Sequence, residues 1–238
     1  MVDFHCHILP GIDDGSRNIE MTEAMLEEEA RQGVTEICAT PHFYADFTTP
    51  RRFLRARKEA FDSLCEAREE QDTPEILLGA EVRFFDGISA AEELQELCLE
   101  GTDLLLLEMP FTRWTDRMLT EVEELSRRGL QPVAAHIERY FGFNSDQLIR
   151  RFMDSDILIQ CNAEFFLERR TSRVAMKLMK EERIHFLGSD AHNNSTRSPN
   201  LAKALERIEH KLGPEALERI RAIEDHYLGK REPEVLPP

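Results

Sequence analysis

The chain alternates between short runs of consecutive apolar residues and longer stretches in which apolar positions recur every three or four residues. The first pattern fits strands buried on both faces; the second fits helices that bury one stripe. Seven strands are predicted: Val2–His5, Thr35–Ala39, Glu75–Val82, Asp103–Leu107, Gln131–Ala135, Ile157–Cys161 and Ile184–Gly188. Helices fill the gaps. One runs from a cap at Ser16 or Asn18 to Gln32 and stops at Gly33, and a longer one opens at Thr49-Pro50. Others fall near 89–100, 115–128, 146–154, 171–182, 200–211 and 214–228. This alternation specifies an α/β fold of repeated βα units. No composition break or short-period repeat divides it, so residues 1–228 are expected to form one domain, followed by a flexible tail, 229–238.

A length of 238 residues suits a single barrel-sized domain. Lys and Arg number 30 against 46 Asp and Glu, a net charge of −16 that argues against nucleic acid or an anionic membrane as partner. Any bound phosphate must then be held by local positive charge. The longest aliphatic run, Leu104–Leu107, lies between Asp103 and Glu108, far short of the roughly 18 residues of a membrane-spanning helix. Asp3, His5 and His7 stand where a secretory signal would be apolar. Five irregularly spaced cysteines with no C-x-x-C pair point to a reducing cytoplasm.

The candidate chemistry lies where ionisable residues meet the predicted strands. His5 and His7 close the first strand, His42 follows the second, Glu81 ends the third and Glu108 the fourth; His136 follows the fifth, and Asp190 and His192 follow the seventh. Parallel barrels build their sites at these C-terminal strand ends. In His-x-His the imidazoles share a face and Cys6 points away, which makes Cys6 a packing residue. Asp14, or its neighbour Asp13, adds a carboxylate in the first βα loop. Imidazoles and carboxylates without a placed thiolate favour manganese, iron or zinc, and so many ligands suit two or three clustered ions that lower the pKa of a bridging water. Arg139 and Arg197 lie in loops at the same end, where guanidinium groups match phosphate oxygens, making a phosphate ester the natural substrate class.

Other phosphatase chemistries are excluded directly. A cysteine-dependent phosphatase places Arg six positions after its nucleophile, and those positions hold Ile12, Tyr44, Gln71, Leu104 and Leu167. No phosphate-binding P-loop, G-x-S-x-G or G-x-G-x-x-G occurs.

The segments DFHCHILPGIDDGS, TPHFY, GAEV, LLLLEMP, AHIERY and GSDAHN together resemble the polymerase-and-histidinol-phosphatase (PHP) superfamily, and within it the capsule and exopolysaccharide protein-tyrosine phosphatase branch (CpsB/CapC). The resemblance spans the first strand to about Arg197. It implies a distorted (β/α)7 barrel and a trinuclear, usually manganese centre. It also implies a phosphotyrosine substrate, typically the tail of a bacterial tyrosine kinase that controls polysaccharide export. Carried over by residue, His5, His7, Glu81 and Asp190 correspond to the first metal's ligands, with Glu81 bridging; Glu108 and His136 complete the second site, and Asp14, His42 and His192 the third. Arg139 and Arg197 correspond to the phosphate-binding arginines. Glu108 stands where many superfamily members carry histidine.

The nearest rival is a histidinol-phosphate or other small-molecule phosphatase on the same centre, and the rim distinguishes them: Phe43, Tyr44, Phe47, Phe111 and Trp114 could flank an aromatic phosphoester. A nuclease lacks a basic track. A non-enzymatic metal-binding scaffold would not need both arginines. His185, His210 and His226 read as structural.

Overall fold

The computed structural model describes residues 1–67 and 73–229. Asn18 is the first helix cap, its side chain accepting from the Met21 amide at 3.0 Å. The chain runs through β1 (Val2–Cys6), α1 (Ile19–Arg31), β2 (Glu36–Ala39), β3 (His42–Phe43), α2 (Pro50–Ala67), β4 (Glu75–Leu78) and β5 (Glu81–Arg83). It continues through β6 (Leu104–Glu108), α3 (Asp116–Arg127), β7 (Gln131–Ala134), α4 (Asp146–Met153) and β8 (Leu158–Asn162). Then follow α5 (Ala163–Leu167), α6 (Ser172–Lys180), β9 (Phe186–Gly188), α7 (Leu201–Leu212) and α8 (Glu215–Leu228). Thr115 and Ser145 cap α3 and α4 through their hydroxyls. Apart from Gly229, the predicted tail lies outside the described residues. No described helix is long and apolar enough to cross a membrane.

Every strand pair is parallel. One ladder has the order β1-β2-β4 and the other β3-β5-β6-β7-β8-β9. The amides of Gly79 and Glu81 donate to the carbonyls of Ala39 and Pro41, at 2.9 and 3.0 Å, and carry one ladder into the other. At the far edge the Asp190 amide donates to His5 O at 2.7 Å and the His7 amide to Ala191 O at 2.9 Å, so the sheet curls until β9 meets β1. This is the expected distorted barrel.

Two predicted elements need correction. The strand expected over Glu75–Val82 stops at Leu78 and restarts at Glu81. Its neighbour breaks at the same level, because Pro41 has no N–H to donate to the ladder. The helix expected near 89–100 is instead two 3-10 turns, Ile88–Ala90 and Glu93–Leu97. Its buried Leu94 and Leu97 stand three apart, the repeat of a 3-10 turn. A 3-10 turn at Ile137–Tyr140 and the short α5 had no counterpart in the periodicity.

The two faces of the sheet bury different things. Outward residues such as Ile37, Leu105, Leu107 and Ile159 pack with Met25 and Leu26 of α1 and Leu119 and Val122 of α3. Inward, Phe4, Cys38, Leu77, Leu104, Leu106, Val133 and Phe186 fill the lower interior, and Leu228 of α8 joins that cluster. Alternation then places Glu108 above Leu106, and Gln160 and Asn162 above Leu158, on the same inward face. In β1 the register shifts between Asp3 and Cys6. That bulge lets Phe4 stack on Phe186 in the core while His5 and His7 still face one another above it. Asp3 and Cys6 turn outward instead, to Glu29 of α1.

Candidate metal centre

All nine sequence-predicted ligands converge at the upper end of the barrel, and Glu81 is the hub. Its Oε2 lies 3.3 Å from His5 Nε2, 3.3 Å from His7 Nε2 and 2.9 Å from His42 Nδ1, while Oε1 lies 2.7 Å from His136 Nε2. Asp190 Oδ1 is 3.7 Å from His5 Nε2, 3.5 Å from His7 Nε2 and 3.6 Å from His192 Nδ1. Asp14 Oδ1 sits 3.4 Å from His42 Nε2 and 3.5 Å from His192 Nε2. Glu108 Oε1 lies 3.8 Å from His136 Nε2. Ligand atoms within 4.8 Å of one another form three overlapping groups: His7, Asp14, His42 and His192; His5, His7 and Glu81; and His42, Glu81 and Glu108. His136 and Asp190 flank them.

Backbone geometry is bent to this convergence. His136 and Asp190 have φ of 32° and 53°, in the left-handed region that non-glycine residues avoid. Gly188 lets β9 pass against β1, since a Cβ there would stand 2.7 Å from His5 Cβ.

Asp13 and Asp14 divide the work of the first loop. Asp14 is 65% exposed and faces the cluster. Asp13 turns behind it, meeting His7 Nδ1 at 2.7 Å and accepting from the amides of His42 and Gly15, both at 2.9 Å. It is placed to orient the His7 ring from behind rather than to face the cluster.

The residue-type reading missed the contribution of β8, the strand that ends in no ligand. Gln160 Oε1 accepts from the His136 amide at 2.6 Å and lies 3.4 Å from His5 Nδ1. Gln160 Nε2 donates to Asn162 Oδ1 at 3.0 Å, and Asn162 Nδ2 to Asp190 Oδ2 at 2.9 Å. Two amides at period two inside an apolar strand were the available signal, because buried polar side chains require partners.

The charge balance of the centre fits divalent cations. Burial would raise the Glu81 carboxyl, but His5, His136 and His42 hold it well below its usual range. Burial, reinforced by Glu81, pushes Glu108 up to about 7. Burial draws His7 down, but Asp13, which accepts a hydrogen bond from its ring, and the Glu81 carboxylate beside it carry it up to about 10. Burial, with His7 beside it, lowers His192 to about 4. Acids so packed need protonated imidazoles or bound cations to offset them. Glu81 Oε2 and His192 Nε2, both facing the centre, are also buried without a hydrogen bond, as ligand atoms would be. Asp3, Cys6 and Glu29 form a further acidic group behind β1, where burial pushes both carboxyls up.

At the mouth, both arginines reach Asp190. Arg139 pairs with its Oδ2, and Arg197 Nη2 lies 2.8 Å from Oδ1. Of the predicted rim aromatics, Phe43 and Trp114 are buried in the core and do not reach the mouth. Phe43 alternates outward from His42 to pack on Phe53 of α2, and Trp114 packs on Tyr140 and Phe152. Tyr44 stacks on His42 at 5.0 Å between centroids, with Phe47 against it at 6.1 Å. Phe111 stacks on His136 at 5.9 Å, with exposed Phe143 beyond it. His185 is structural, its Nδ1 accepting from the Ile159 amide at 3.0 Å.

The family described as "Capsular polysaccharide synthesis, CpsB/CapC" matches residues 1–227. The chain is 28% identical over 246 aligned residues to tyrosine-protein phosphatase CpsB of Streptococcus agalactiae, covering 96% of this chain and all of that protein. It is 31% identical over 225 residues to tyrosine-protein phosphatase YwqE of Bacillus subtilis, covering 90% and 86%. Among solved structures it is similar to a chain from the crystal structures of YwqE from Bacillus subtilis and CpsB from Streptococcus pneumoniae, described as unique metal-dependent tyrosine phosphatases. There the TM-score is 0.82 at 26% identity, covering 100% of this chain and 98% of that one.

Proposed function

The chain belongs to the CpsB/CapC capsular polysaccharide synthesis family, and from that membership we propose that it is a metal-dependent tyrosine-protein phosphatase. The observation that supports this most is the convergence of His5, His7, His42, His136, His192, Asp14, Asp190 and Glu108 around Glu81, under a mouth with two arginines. We assign those nine side chains to hold manganese, in three ions, with iron or zinc as alternatives. Such ions, when bound, lower the pKa of a water and draw charge from the phosphoryl oxygens.

The chain's own residues do the rest. Glu81, shared by four imidazoles, fixes the spacing of the two sides of the centre. Asp13 and Gln160 hold rings and backbone in place from behind. Arg139 and Arg197 can exchange Asp190 for phosphoryl oxygens, which a guanidinium fork matches in two bonds. Phe111 on the His136 side and Tyr44 with Phe47 on the His42 side form two aromatic walls. An aryl ring between them buries apolar surface that the imidazole of histidinol phosphate or a serine side chain would not. With Phe47 78% exposed and Phe111 37% exposed, the mouth is open enough for a polypeptide. The physiological substrate in this reading is a tyrosine-phosphorylated bacterial kinase tail, and the compartment is the cytoplasm, consistent with five free cysteines.

The test is phosphate release from a phosphotyrosine peptide, a phosphoserine peptide and histidinol phosphate after chelation and readdition of single metals. Phosphotyrosine should be hydrolysed fastest, and manganese should restore activity better than magnesium, which prefers oxygen ligands. Preference for histidinol phosphate, or equal rescue by magnesium, would overturn the reading.

A further inference from the structure

Beside the centre a cavity of about 350 Å³ opens between the first βα loop and the start of α2. Asp13, already engaged by His7, together with Asp14 and His42 walls it toward the centre, and Tyr44, Phe47, Thr48 and Arg52 wall it on the other sides. None of the residues on those other sides is needed to hold a metal or a phosphoryl group. We propose that this cavity is a peptide subsite for the residues flanking the phosphotyrosine, and that it selects acidic ones. The proposal rests on the phosphatase reading above and adds a sequence preference to it.

Three observations converge on an acidic occupant. First, α2 opens with Arg51 and Arg52 and has no acidic residue in its first turn. Cations there oppose the helix dipole, an arrangement that a bound anion relieves. Second, among the described residues Arg51, Arg52 and Arg83 enter no ion pair, whereas Arg55 pairs with Glu59 and Lys58 with Asp62 further along α2. Third, the guanidinium of Arg83, whose charge also acts on Glu108, lies 5.5 Å over the Tyr44 ring, which itself stacks on His42. Unpaired positive charge therefore borders the cavity through Arg52, and further positive charge approaches Tyr44 through Arg83. An extended peptide advances about 3.3–3.6 Å per residue, and the cavity begins at His42 and Asp14 of the centre itself, so residues flanking a phosphotyrosine there run along this wall. Phe47 and Tyr44 offer apolar surface for the peptide backbone and side-chain stems, which gives the exposed Phe47 a partner.

The bulk charge of the chain predicts the opposite preference. A net charge of −16 attracts basic peptides and repels acidic ones at long range. A preference for acidic flanks can then come only from local arginines, which makes the measurement decisive.

The experiment compares kcat/KM for two phosphotyrosyl peptides that differ only in carrying Glu or Lys on both sides of the tyrosine, with p-nitrophenyl phosphate as an unflanked substrate. The Glu peptide should be favoured roughly tenfold at low salt, less at high salt. In Arg52→Glu and in Arg52→Glu/Arg83→Glu, the ratio should fall toward or below one. Because it is a ratio within one preparation, general damage to folding or metal loading cancels. A ratio near one or a Lys preference in the unaltered protein, an unchanged ratio in the variants, or an equal loss on p-nitrophenyl phosphate would each overturn the subsite. Hydrolysis of all three substrates without flank preference overturns the subsite alone; hydrolysis of none overturns the phosphatase reading and the subsite with it.

Discussion

Asp13 meets His7 from behind, Oδ2 to Nδ1 at 2.7 Å, on the ring edge turned away from Glu81. That contact fixes which imidazole nitrogen faces the centre. Asp13→Ala should weaken metal affinity about 10- to 100-fold, the usual cost of losing such a partner. Metal titration by calorimetry checks it, and activity at saturating metal should largely recover. An unaltered affinity would show that His7 is oriented without Asp13.

Arg139 and Arg197 both hold Asp190, and each should matter through geometry as well as charge. Arg139→Lys or Arg197→Lys should lower kcat/KM roughly ten- to a thousandfold, about 1.4 to 4 kcal/mol of transition-state stabilisation. The loss should be similar on a phosphotyrosine peptide and on p-nitrophenyl phosphate, with metal content retained. Metal loss in either variant would mean that its arginine supports Asp190 instead of the substrate.

Gln160 is a positioning residue that joins three strands of the centre through His136, His5 and Asn162. Gln160→Leu should leave the His136 amide unpaired, lower metal affinity and shift the acid limb of the pH–rate profile. Gln160→Glu, which restores the acceptor, should recover part of both. A variant that only lowers the melting temperature, with affinity and pH profile intact, would make Gln160 structural.

Glu224, on α8 far from the centre, is only 7% exposed, and burial, with Asp225 beside it, pushes its carboxyl from 4.5 up to about 7. Between those values the folded protein keeps a proton that the unfolded chain releases, so stability falls as pH rises from about 4.5 to about 7. Glu224→Gln should remove that dependence and stabilise the protein at pH 8 by up to about 3 kcal/mol. Denaturant melts of both proteins at pH 5 and pH 8 test it; equal slopes with pH would refute the assignment.

Much of this was legible in the sequence because strand-end position and residue type coincide. His-x-His put two imidazoles on one face, and LLLLE placed Glu108 above an inward Leu106. What stayed hidden depends on neighbours in space. The break at Leu78 follows from Pro41 on the adjacent strand, and Asp3 leaves the face of His5 because β1 bulges. Asp13 and Asp14 look equivalent until the loop turns one of them behind His7. Gln160 and Asn162 carry no titratable group, so a search for ligands passes over them. Phe43 and Tyr44 are adjacent aromatics, and only the strand's alternation sends one to the core and the other to the mouth.

The left-handed backbone at His136 and Asp190 has an evolutionary consequence. Glycine at either position would relax the chain, and an apolar residue at 81 would relieve the crowding of buried acids. A population selected only for surviving heat would therefore drift toward a sturdier and inert barrel, losing its chemistry at the codons where it gained robustness. Persistence of His136, Asp190 and Glu81 together in a lineage would then record continuing demand for the reaction, since backbone strain at two of them and buried charge at the third weigh against keeping them.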